Sequence, residues 1–269
     1  MSIRLEHASI GHSGRPLLDN FNLSVGPGST TALVGPNGSG KTTVVNSLLG
    51  LTPLLTGNAS LNGSQMSDVA VRRQVGVVWQ DRGLPQGISV FRWVRHLADL
   101  YQTPIDMNLV EALGIELVKR PLRQLSGGEQ QRIAIWSALN HQPLILVMDE
   151  PTVGLDEATR NTFYEMVRDR ISQGACALLT SHYAQDVSAL ADDVISIGNK
   201  ESTTSTSAIF TTSAPLVIEA VEIQDVEISQ SGNGYVISSS SISDLLGIAS
   251  SVAAAQNVTI RSFTVITNG

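Results

Sequence analysis

The most constraining feature of the chain is a glycine-rich stretch, Gly35-Pro36-Asn37-Gly38-Ser39-Gly40-Lys41-Thr42-Thr43. Its spacing, a glycine followed by four residues and then Gly-Lys-Thr, is typical of a phosphate-binding loop. Gly38 and Gly40 allow backbone N–H groups to converge on a phosphate, because no Cβ stands in the way. A helix that begins at Lys41 directs its free N–H groups and its positive dipole end toward the anion.

The residues on both sides of this loop fit the order strand, loop, helix. Thr30-Thr31-Ala32-Leu33-Val34 is β-branched and mostly apolar, as in a buried strand, and Gly50 ends an apolar helical pattern after the loop. A glycine-rich turn with a chance lysine is the alternative, and it does not account for this order. We predict that Lys41 contacts the β- and γ-phosphates of a nucleotide and that the Thr42 hydroxyl coordinates Mg²⁺.

The composition restricts the classes of function that the chain can serve. Its 269 residues suit one large domain with a smaller one. A formal net charge of −7 argues against a nucleic-acid-binding protein, which usually carries a basic surface. Cys176 is the only cysteine, so an intrachain disulfide is excluded and a reducing compartment is expected. Neither a signal-peptide pattern nor a run of roughly 20 apolar residues is present, so we expect any membrane role to depend on a partner.

Strand patterns surround the phosphate loop in the first 80 residues. Residues 3–25 read as strands around a turn at 11–16, which predicts an antiparallel flap, and residues 57–63 add a short strand. The buried-strand pattern at 75–80 ends on the polar Gln80. Because ligand chemistry collects at the ends of parallel strands, Gln80 is a candidate site residue.

Residues 84–125 change to a helical pattern. Apolar residues recur at three- and four-residue steps and continue after Pro104 through Leu109, Leu113 and Leu117. This pattern predicts a helical insertion between strands. Most of its apolar residues suit an ordinary amphipathic core, and Phe91 or Trp93 is an alternative candidate for a partner-facing surface.

A second glycine-containing motif, Leu125-Ser126-Gly127-Gly128-Glu129, opens the next helix. Ser126 and Glu129 have the spacing of a capping box, in which a serine and a glutamate three residues later satisfy each other's backbone N–H groups. Two glycines at a helix start also expose backbone N–H groups to an incoming anion. We therefore expect both a cap and a phosphate contact.

Acidic residues follow a continuous apolar run, Leu144 to Met148, that has the pattern of a central parallel strand. Asp149 and Glu150 would be costly at such a position unless a cation or a reaction used them. Gly154-Leu155-Asp156 forms a turn before a helix, and the next strand pattern ends at Ser181-His182. Strands that alternate with helices predict a layered α/β domain.

The composition shifts near Gly198. Residues 201–215 are rich in Ser and Thr, which predicts a linker or an exposed loop. Strand patterns at 216–223, 234–237 and 258–265 and a helical pattern at 242–255 predict a small α+β region over 216–269. It carries no catalytic constellation, and its role as a regulatory module, an assembly contact or a stabilising cap stays open.

In order along the chain, the phosphate loop, Gln80, the Ser126-Gly127-Gly128 motif, Asp149-Glu150 and His182 resemble the nucleotide-binding subunit of ABC transporters. The resemblance covers roughly residues 3–198. It implies an α/β fold with a P-loop NTPase core, an antiparallel β flap and a helical subdomain at about 84–130, within an ATP-binding domain at 1–200. Ser181-His182-Tyr183 and the small C-terminal region look most like the drug and antibiotic exporter branch.

This resemblance implies roles for individual residues. ATP phosphates and Mg²⁺ would be held by Gly38, Gly40, Lys41, Thr42 and Thr43. Gln80 would contact the metal and the attacking water, and Asp149 would hold Mg²⁺. Glu150 would act as general base and His182 would contact the γ-phosphate. The alternatives are a structural or second metal-binding role for Glu150 and a structural role for His182.

The resemblance also implies an assembly. Ser126, Gly127 and Gly128 would complete the site of the opposite subunit, and Asp156 would lie across the interface, in a homodimer or heterodimer around two ATP molecules. The partner would be a membrane permease on a separate chain, which places the protein in the cytoplasm on the inner face of the membrane, with no nucleic acid expected.

One departure from the family pattern concerns adenine. The N-terminal turn of this family usually offers a large aromatic residue to stack on the base, and His12 aligns there. An imidazole offers a smaller face, so we expect weak base selectivity. The competing functions are a soluble ABC ATPase without a permease and an ATP-dependent switch that hydrolyses poorly.

Overall fold

A computed structural model of the protein describes residues 2–12, 14–198, 206–212, 226–231, 234–239, 249, 252 and 260–266. In chain order its strands are β1 (Ile3–His12), β2 (Arg15–Val25), β3 (Thr30–Val34), β4 (Thr56–Leu61), β5 (Val75–Val78), β6 (Ile145–Asp149), β7 (Cys176–Thr180), β8 (Asp193–Ser196), β9 (Thr206–Thr212), β10 (Val226–Ser231), β11 (Gly234–Ser239) and β12 (Ile260–Ile266). The α-helices are α1 (Lys41–Leu48), α2 (Val69–Arg72), α3 (Val90–Tyr101), α4 (Met107–Ala112), α5 (Gly127–Leu139), α6 (Glu157–Ser172) and α7 (Ala184–Leu190).

Five parallel strands form the central sheet in the order β5, β6, β7, β3, β8. Every residue of β6 and of β7 is buried, as the continuous apolar runs predicted. One apolar core forms around α5 and α6 on one side of these strands, and a second forms around α1 and the N-terminal strands. The predicted layered α/β arrangement is therefore confirmed.

The predicted antiparallel flap is a three-stranded sheet in the order β2, β1, β4. Its alternating pattern buries Leu23 and Val25 while Leu17, Leu18 and Phe21 are half-buried. The same sheet packs on α1, which carries the phosphate loop at its start. The flap thereby supports the loop from outside the central sheet.

The helical part of the insertion ends earlier than its apolar pattern predicted. Helix α4 ends at Ala112, so the prediction that the helical pattern continues through Leu117 is wrong. Gly114 adopts a φ of 59°, a left-handed conformation that ends the helix, and the chain then runs alongside the start of α3. There the Phe91 N–H donates to the Val118 carbonyl at 3.1 Å, and Leu117 packs on the core without belonging to a helix.

The C-terminal region contains an antiparallel sheet in the order β10, β11, β9, β12. Strand β9 lies inside the stretch predicted as a linker, so that prediction is wrong for 206–212: its backbone pairs with β11 on one side and β12 on the other. The predicted strands at 234–237 and 258–265 correspond to β11 and β12. The predicted strand at 216–223 lies outside the described residues, as does the predicted helix at 242–255 except for Ala249 and Val252, which are helical and buried.

Candidate functional site

Several of the predicted site residues meet at one edge of the central sheet. The phosphate loop follows β3, His182 follows β7 after one residue, Asp149 ends β6, and Gln80 follows β5 after one residue. These four strands are neighbours in the order β5, β6, β7, β3, and they are parallel, so their carboxyl ends lie side by side. Such an edge is where open α/β sheets bind ligands.

The phosphate loop adopts a conformation that depends on its glycines. Gly38 and Gly40 have φ values of 81° and 105°, and a Cβ on Gly40 would lie 2.6 Å from the side chain of Leu17. The ammonium group of Lys41 donates to the carbonyls of Gly35 at 2.7 Å and Pro36 at 3.2 Å. The lysine is thus held over its own loop, and Thr42 is exposed in the first turn of α1.

Asp149 has one carboxylate oxygen engaged and one free for a ligand. Its Oδ1 accepts a hydrogen bond from the Thr180 hydroxyl on the neighbouring strand, while its Oδ2 is buried and has no hydrogen-bond partner among the described residues. Only 1% of Asp149 is exposed. An unpartnered buried carboxylate oxygen is costly, and a hard cation with oxygen ligands would satisfy it. The residues present therefore fit Mg²⁺.

Glu150 and His182 form a direct pair across the neighbouring strand ends. The Glu150 Oε2 lies 2.6 Å from the His182 Nδ1 and also accepts from the His182 backbone N–H at 3.4 Å. The glutamate is buried, whereas 47% of the histidine side chain is exposed. Glu150 has a φ of 52°, which is uncommon for a residue with a side chain and is held only where the surroundings demand it. Strained residues of this kind cluster at active sites.

The capping box predicted at the start of α5 is confirmed. The Ser126 hydroxyl accepts from the Glu129 N–H at 3.3 Å, and Glu129 accepts from the Ser126 N–H at 2.7 Å. That backbone hydrogen bond lowers the pKa of Glu129, and a further hydrogen bond from Arg120 acts in the same direction. Ser126 and Gly127 are exposed, so the capped start of α5 is open to solvent.

The start of α5 touches the turn that precedes α6. A Cβ on Gly128 would lie 2.9 Å from the Gly154 carbonyl oxygen, so the two segments fit closely only because position 128 is glycine. Asp156 caps α6 by accepting from the Thr159 N–H at 2.8 Å, which lowers the pKa of Asp156. The segment from Ser126 to Gly128 and the side chain of Asp156 thus lie on one exposed surface, which we call the signature surface.

Comparison with known proteins identifies the family. The sequence model described as ABC transporter matches residues 18–153. A zinc import ATP-binding protein, ZnuC of Ruegeria sp. (strain TM1040), is 34% identical over 194 residues, which are 72% of this chain and 76% of that protein. The chain belongs to the ABC transporter family. ATP-binding subunits of this family hydrolyse ATP with Mg²⁺ and work with a separate membrane permease, and this chain is an ATPase of that kind.

Other ABC transporter relatives differ in what they transport. The phosphonates import ATP-binding protein PhnC 2 of Nostoc sp. is 35% identical over 66% of this chain and 80% of its own length. The Nod factor export ATP-binding protein I of Cupriavidus metallidurans is 35% identical over 68% of this chain and 64% of its own. Among solved structures, an ATP-binding subunit of an ABC transporter superposes with a TM-score of 0.68 at 23% identity, over 74% of this chain and 87% of that one. That likeness establishes the fold.

Two further predicted residues, Gln80 and His12, lie at the ends of strands. Gln80 is exposed at the end of β5. His12 is the last residue of β1, where its backbone pairs with Arg15 in the flap. Among the described residues, no hydrogen bond connects the segment from Ser126 to Gly128 with the phosphate loop of the same chain. The signature surface is therefore distinct from the sheet edge that carries Lys41, Asp149, Glu150 and His182, which we call the catalytic edge.

Three residues that support the catalytic edge were missed by sequence reasoning. Thr180 bonds to Asp149, the Gln131 amide donates to the Pro151 carbonyl at 2.6 Å, and the carboxylate of Asp186 accepts from three hydroxyl groups. A threonine at the end of an apolar strand beside the acids was an available signal for Thr180. Gln131 and Asp186 gave none, because polar residues on helices are ordinarily solvent-exposed.

Proposed function

We infer that two copies of this ATP-binding domain, or one copy with a related subunit, close around two ATP molecules and drive transport through a separate permease. The observation that carries this proposal is the catalytic edge, where a buried Glu150 pairs with His182 next to an Asp149 oxygen that lacks a partner. Phosphoryl transfer demands positioning and charge stabilisation from the protein, and this edge provides both.

Each residue of the edge has a distinct part in the proposed hydrolysis. The loop 35–43 supplies backbone N–H groups and the Lys41 ammonium to the phosphates, and His12 lies at the turn proposed to face adenine. Asp149, Thr42 and Gln80 are the proposed oxygen ligands of Mg²⁺, which would neutralise charge on the phosphates. Glu150 accepts a proton from the attacking water, and the adjacent His182 contacts the γ-phosphate.

The signature surface is the proposed contact with the second subunit. Ser126, Gly127 and Gly128 form a helix start in which Ser126 and Gly127 are exposed, and its positive dipole end suits the γ-phosphate of an ATP bound to the opposite subunit. Asp156 is exposed beside them and would lie across the interface. In this arrangement each site needs both chains, so ATP controls the closing of the dimer.

The proposed permease is a separate chain, and the proposed location is the cytoplasmic face of the membrane. In the described part of the protein, no helix is long and apolar enough to cross a bilayer. The export direction is supported by the Ser181-His182-Tyr183 strand end and by likeness to the Nod factor export protein. Import proteins for zinc and for phosphonates match at similar identity, so direction is the part of the proposal that most needs a direct test.

The test begins with a pull-down of the tagged Glu150→Gln protein from detergent-solubilised native membranes with ATP and Mg²⁺. We expect a polytopic membrane protein to co-purify, whereas a ribosome, DNA or no partner would contradict the transporter proposal and favour a soluble ABC ATPase. The membrane partner identified in this way is then combined with the wild-type protein in inside-out vesicles. ATP-dependent accumulation of substrate inside these vesicles supports export, and ATP-dependent release supports import.

A further inference from the structure

Asp186, on the short helix α7 that follows His182, is a fully buried carboxylate that accepts three hydrogen bonds. Its Oδ1 accepts from the Tyr164 hydroxyl at 2.6 Å. Its Oδ2 accepts from the hydroxyls of Thr152 at 2.7 Å and Ser181 at 2.6 Å. No lysine or arginine in the described part of the chain forms an ion pair with it. A buried carboxylate without a cation is expensive, so its retention calls for a physical reason.

The two donors that share Oδ2 flank the catalytic pair. Ser181 immediately precedes His182 in the chain, and Thr152 lies two residues after Glu150. One oxygen atom therefore fixes the distance between the segment that carries the glutamate and the segment that carries the histidine. The third donor, Tyr164, belongs to α6 and has no catalytic neighbour in sequence, so it anchors the carboxylate to the scaffold.

The segment at Glu150 needs such an anchor. Its left-handed backbone is strained, and strain of this kind persists only where surrounding contacts hold it. On one side the Glu150 N–H donates to the Thr180 carbonyl at 3.1 Å, and Gln131 holds the Pro151 carbonyl. The Thr152 hydroxyl bonded to Asp186 holds the other side.

We propose that Asp186 is a positioning residue for ATP hydrolysis: through Thr152 and Ser181, its Oδ2 sets the placement of Glu150 against His182. This inference rests on the proposed roles of Glu150 and His182. A carboxylate suits the task because it accepts several hydrogen bonds at once and donates none, so both hydroxyls must point at it. Short hydrogen bonds to an ionised acceptor are also stronger and more directional than bonds between neutral groups.

The three donors provide a matched experiment, since each can lose its hydroxyl with little change in shape. The variants are Thr152→Val, Ser181→Ala and Tyr164→Phe, each measured for kcat, KM for ATP and the thermal unfolding midpoint. We expect Thr152→Val and Ser181→Ala to lower kcat about tenfold with KM within about twofold of wild type, because geometry is lost after ATP has bound. Tyr164→Phe should keep kcat within about twofold while lowering the unfolding midpoint.

Thr152→Val is the cleaner of the two catalytic variants, because the Ser181 hydroxyl also accepts from the Tyr183 N–H at 2.9 Å. In the double variant Thr152→Val/Ser181→Ala, we expect the kcat loss to be smaller than the product of the two single losses, because both hydroxyls act through the same oxygen. Asp186→Asn, which keeps the shape of the side chain, should show the same loss of kcat. If it fails to fold, the three hydroxyl variants still decide the matter.

Equal kcat losses in all three variants, in proportion to their stability losses, would overturn the positioning role and leave Asp186 as a purely structural acid. Unchanged kcat in Thr152→Val and Ser181→Ala would overturn it as well. A wild-type protein that fails to hydrolyse ATP in the presence of its permease gives a different result: it overturns the proposed function, and this inference with it.

Discussion

The catalytic edge and the signature surface are built in opposite ways within the same subunit. At the edge, Asp149 and Glu150 are 1% and 5% exposed and are held by hydrogen bonds from neighbouring strand ends. At the signature surface, Ser126 and Asp156 are exposed and act as helix caps. The edge is a cluster of buried side chains from distant segments, whereas the surface consists of two capped helix starts that face solvent. Under the proposed function, the chemistry is prepared in the monomer and completed when two subunits assemble.

The largest effect is expected when the proposed general base at the catalytic edge is removed. In Glu150→Gln the side chain keeps its shape but cannot take a proton, so we expect ATP turnover to fall about a hundredfold or more while ATP binding stays intact. Turnover is measured by phosphate release and binding by calorimetry. Glu157→Gln, which changes an exposed acid in the first turn of α6, is the matched control and should hydrolyse ATP normally. Near-normal turnover in Glu150→Gln would show that Glu150 is not the general base.

The next test acts on the signature surface alone. Ser126→Arg places a long cation at the positive end of α5, where the opposing ATP is proposed to bind, so we expect ATP-induced dimerisation to weaken at least about tenfold. ATP binding by the monomer should be unchanged, because the phosphate loop lies elsewhere in the chain. Light scattering with ATP on a Glu150→Gln background measures the dimer. Ser172→Arg, at the far end of α6, adds the same charge as a control, and a normal dimer in both variants would contradict the proposed interface.

A third test asks whether the edge holds its metal through the neighbouring strand. Thr180→Val preserves side-chain shape but removes the hydrogen bond to Asp149, and loss of such a supporting contact typically weakens metal binding about tenfold. We expect a correspondingly higher Mg²⁺ concentration for half-maximal ATPase activity. Thr162→Val on α6, whose hydroxyl bonds only within its own helix, is the control. An unchanged Mg²⁺ requirement in Thr180→Val would mean that Asp149 does not depend on this contact.

The smallest expected effect is a pH dependence of stability that comes from the buried end of α5, in contrast to the exposed start of the same helix. Burial lowers the pKa of His141, just beyond the end of α5, from 6.5 to about 4. The unfolded chain therefore binds a proton below pH 6.5 that the folded chain does not, and stability falls as the pH drops toward 4. Between pH 7 and pH 5.5 we expect a loss of about 1 kcal/mol in the free energy of unfolding.

Urea unfolding at the two pH values measures this loss. His141→Gln should reduce the pH dependence, and His96→Gln, which replaces an exposed histidine on α3, should leave it unchanged. If both variants keep the full wild-type dependence, another group is responsible and His141 is not the source.

The parts of the site that could be predicted from sequence are those whose chemistry is local. The phosphate loop and the capping box of Ser126 and Glu129 depend on residues a few positions apart, so their spacing is sufficient to reveal them. The hydrogen bonds that Thr180 donates to Asp149 and Thr152 donates to Asp186 join segments more than thirty positions apart. Such groups come together only in the folded sheet, and the spacing of residues along the chain does not reveal which segments become neighbours.

The errors in the fold have the same origin. Residues 206–212 read as a linker because Ser and Thr offer little apolar surface, yet the backbone of β9 pairs on both sides. Hydrogen bonding of that kind does not depend on side-chain type. Leu117 fits a helical period, but Gly114 ends the helix and the leucine packs on the core from an irregular segment. In the first case a long-range backbone pairing overrides the local pattern, and in the second a glycine stops the helix before its apolar period ends.

The order of the central sheet has a consequence for how such a protein can diversify. Because the proposed catalytic groups follow four neighbouring parallel strands, each connecting segment leaves this edge and runs to the opposite edge, where the next strand begins, so its length does not set the spacing of these groups. The helical insertion between β5 and β6 is such a segment. Residues 84–124 of the insertion can therefore differ between proteins with different membrane partners, while the start of α5 and the catalytic edge stay the same.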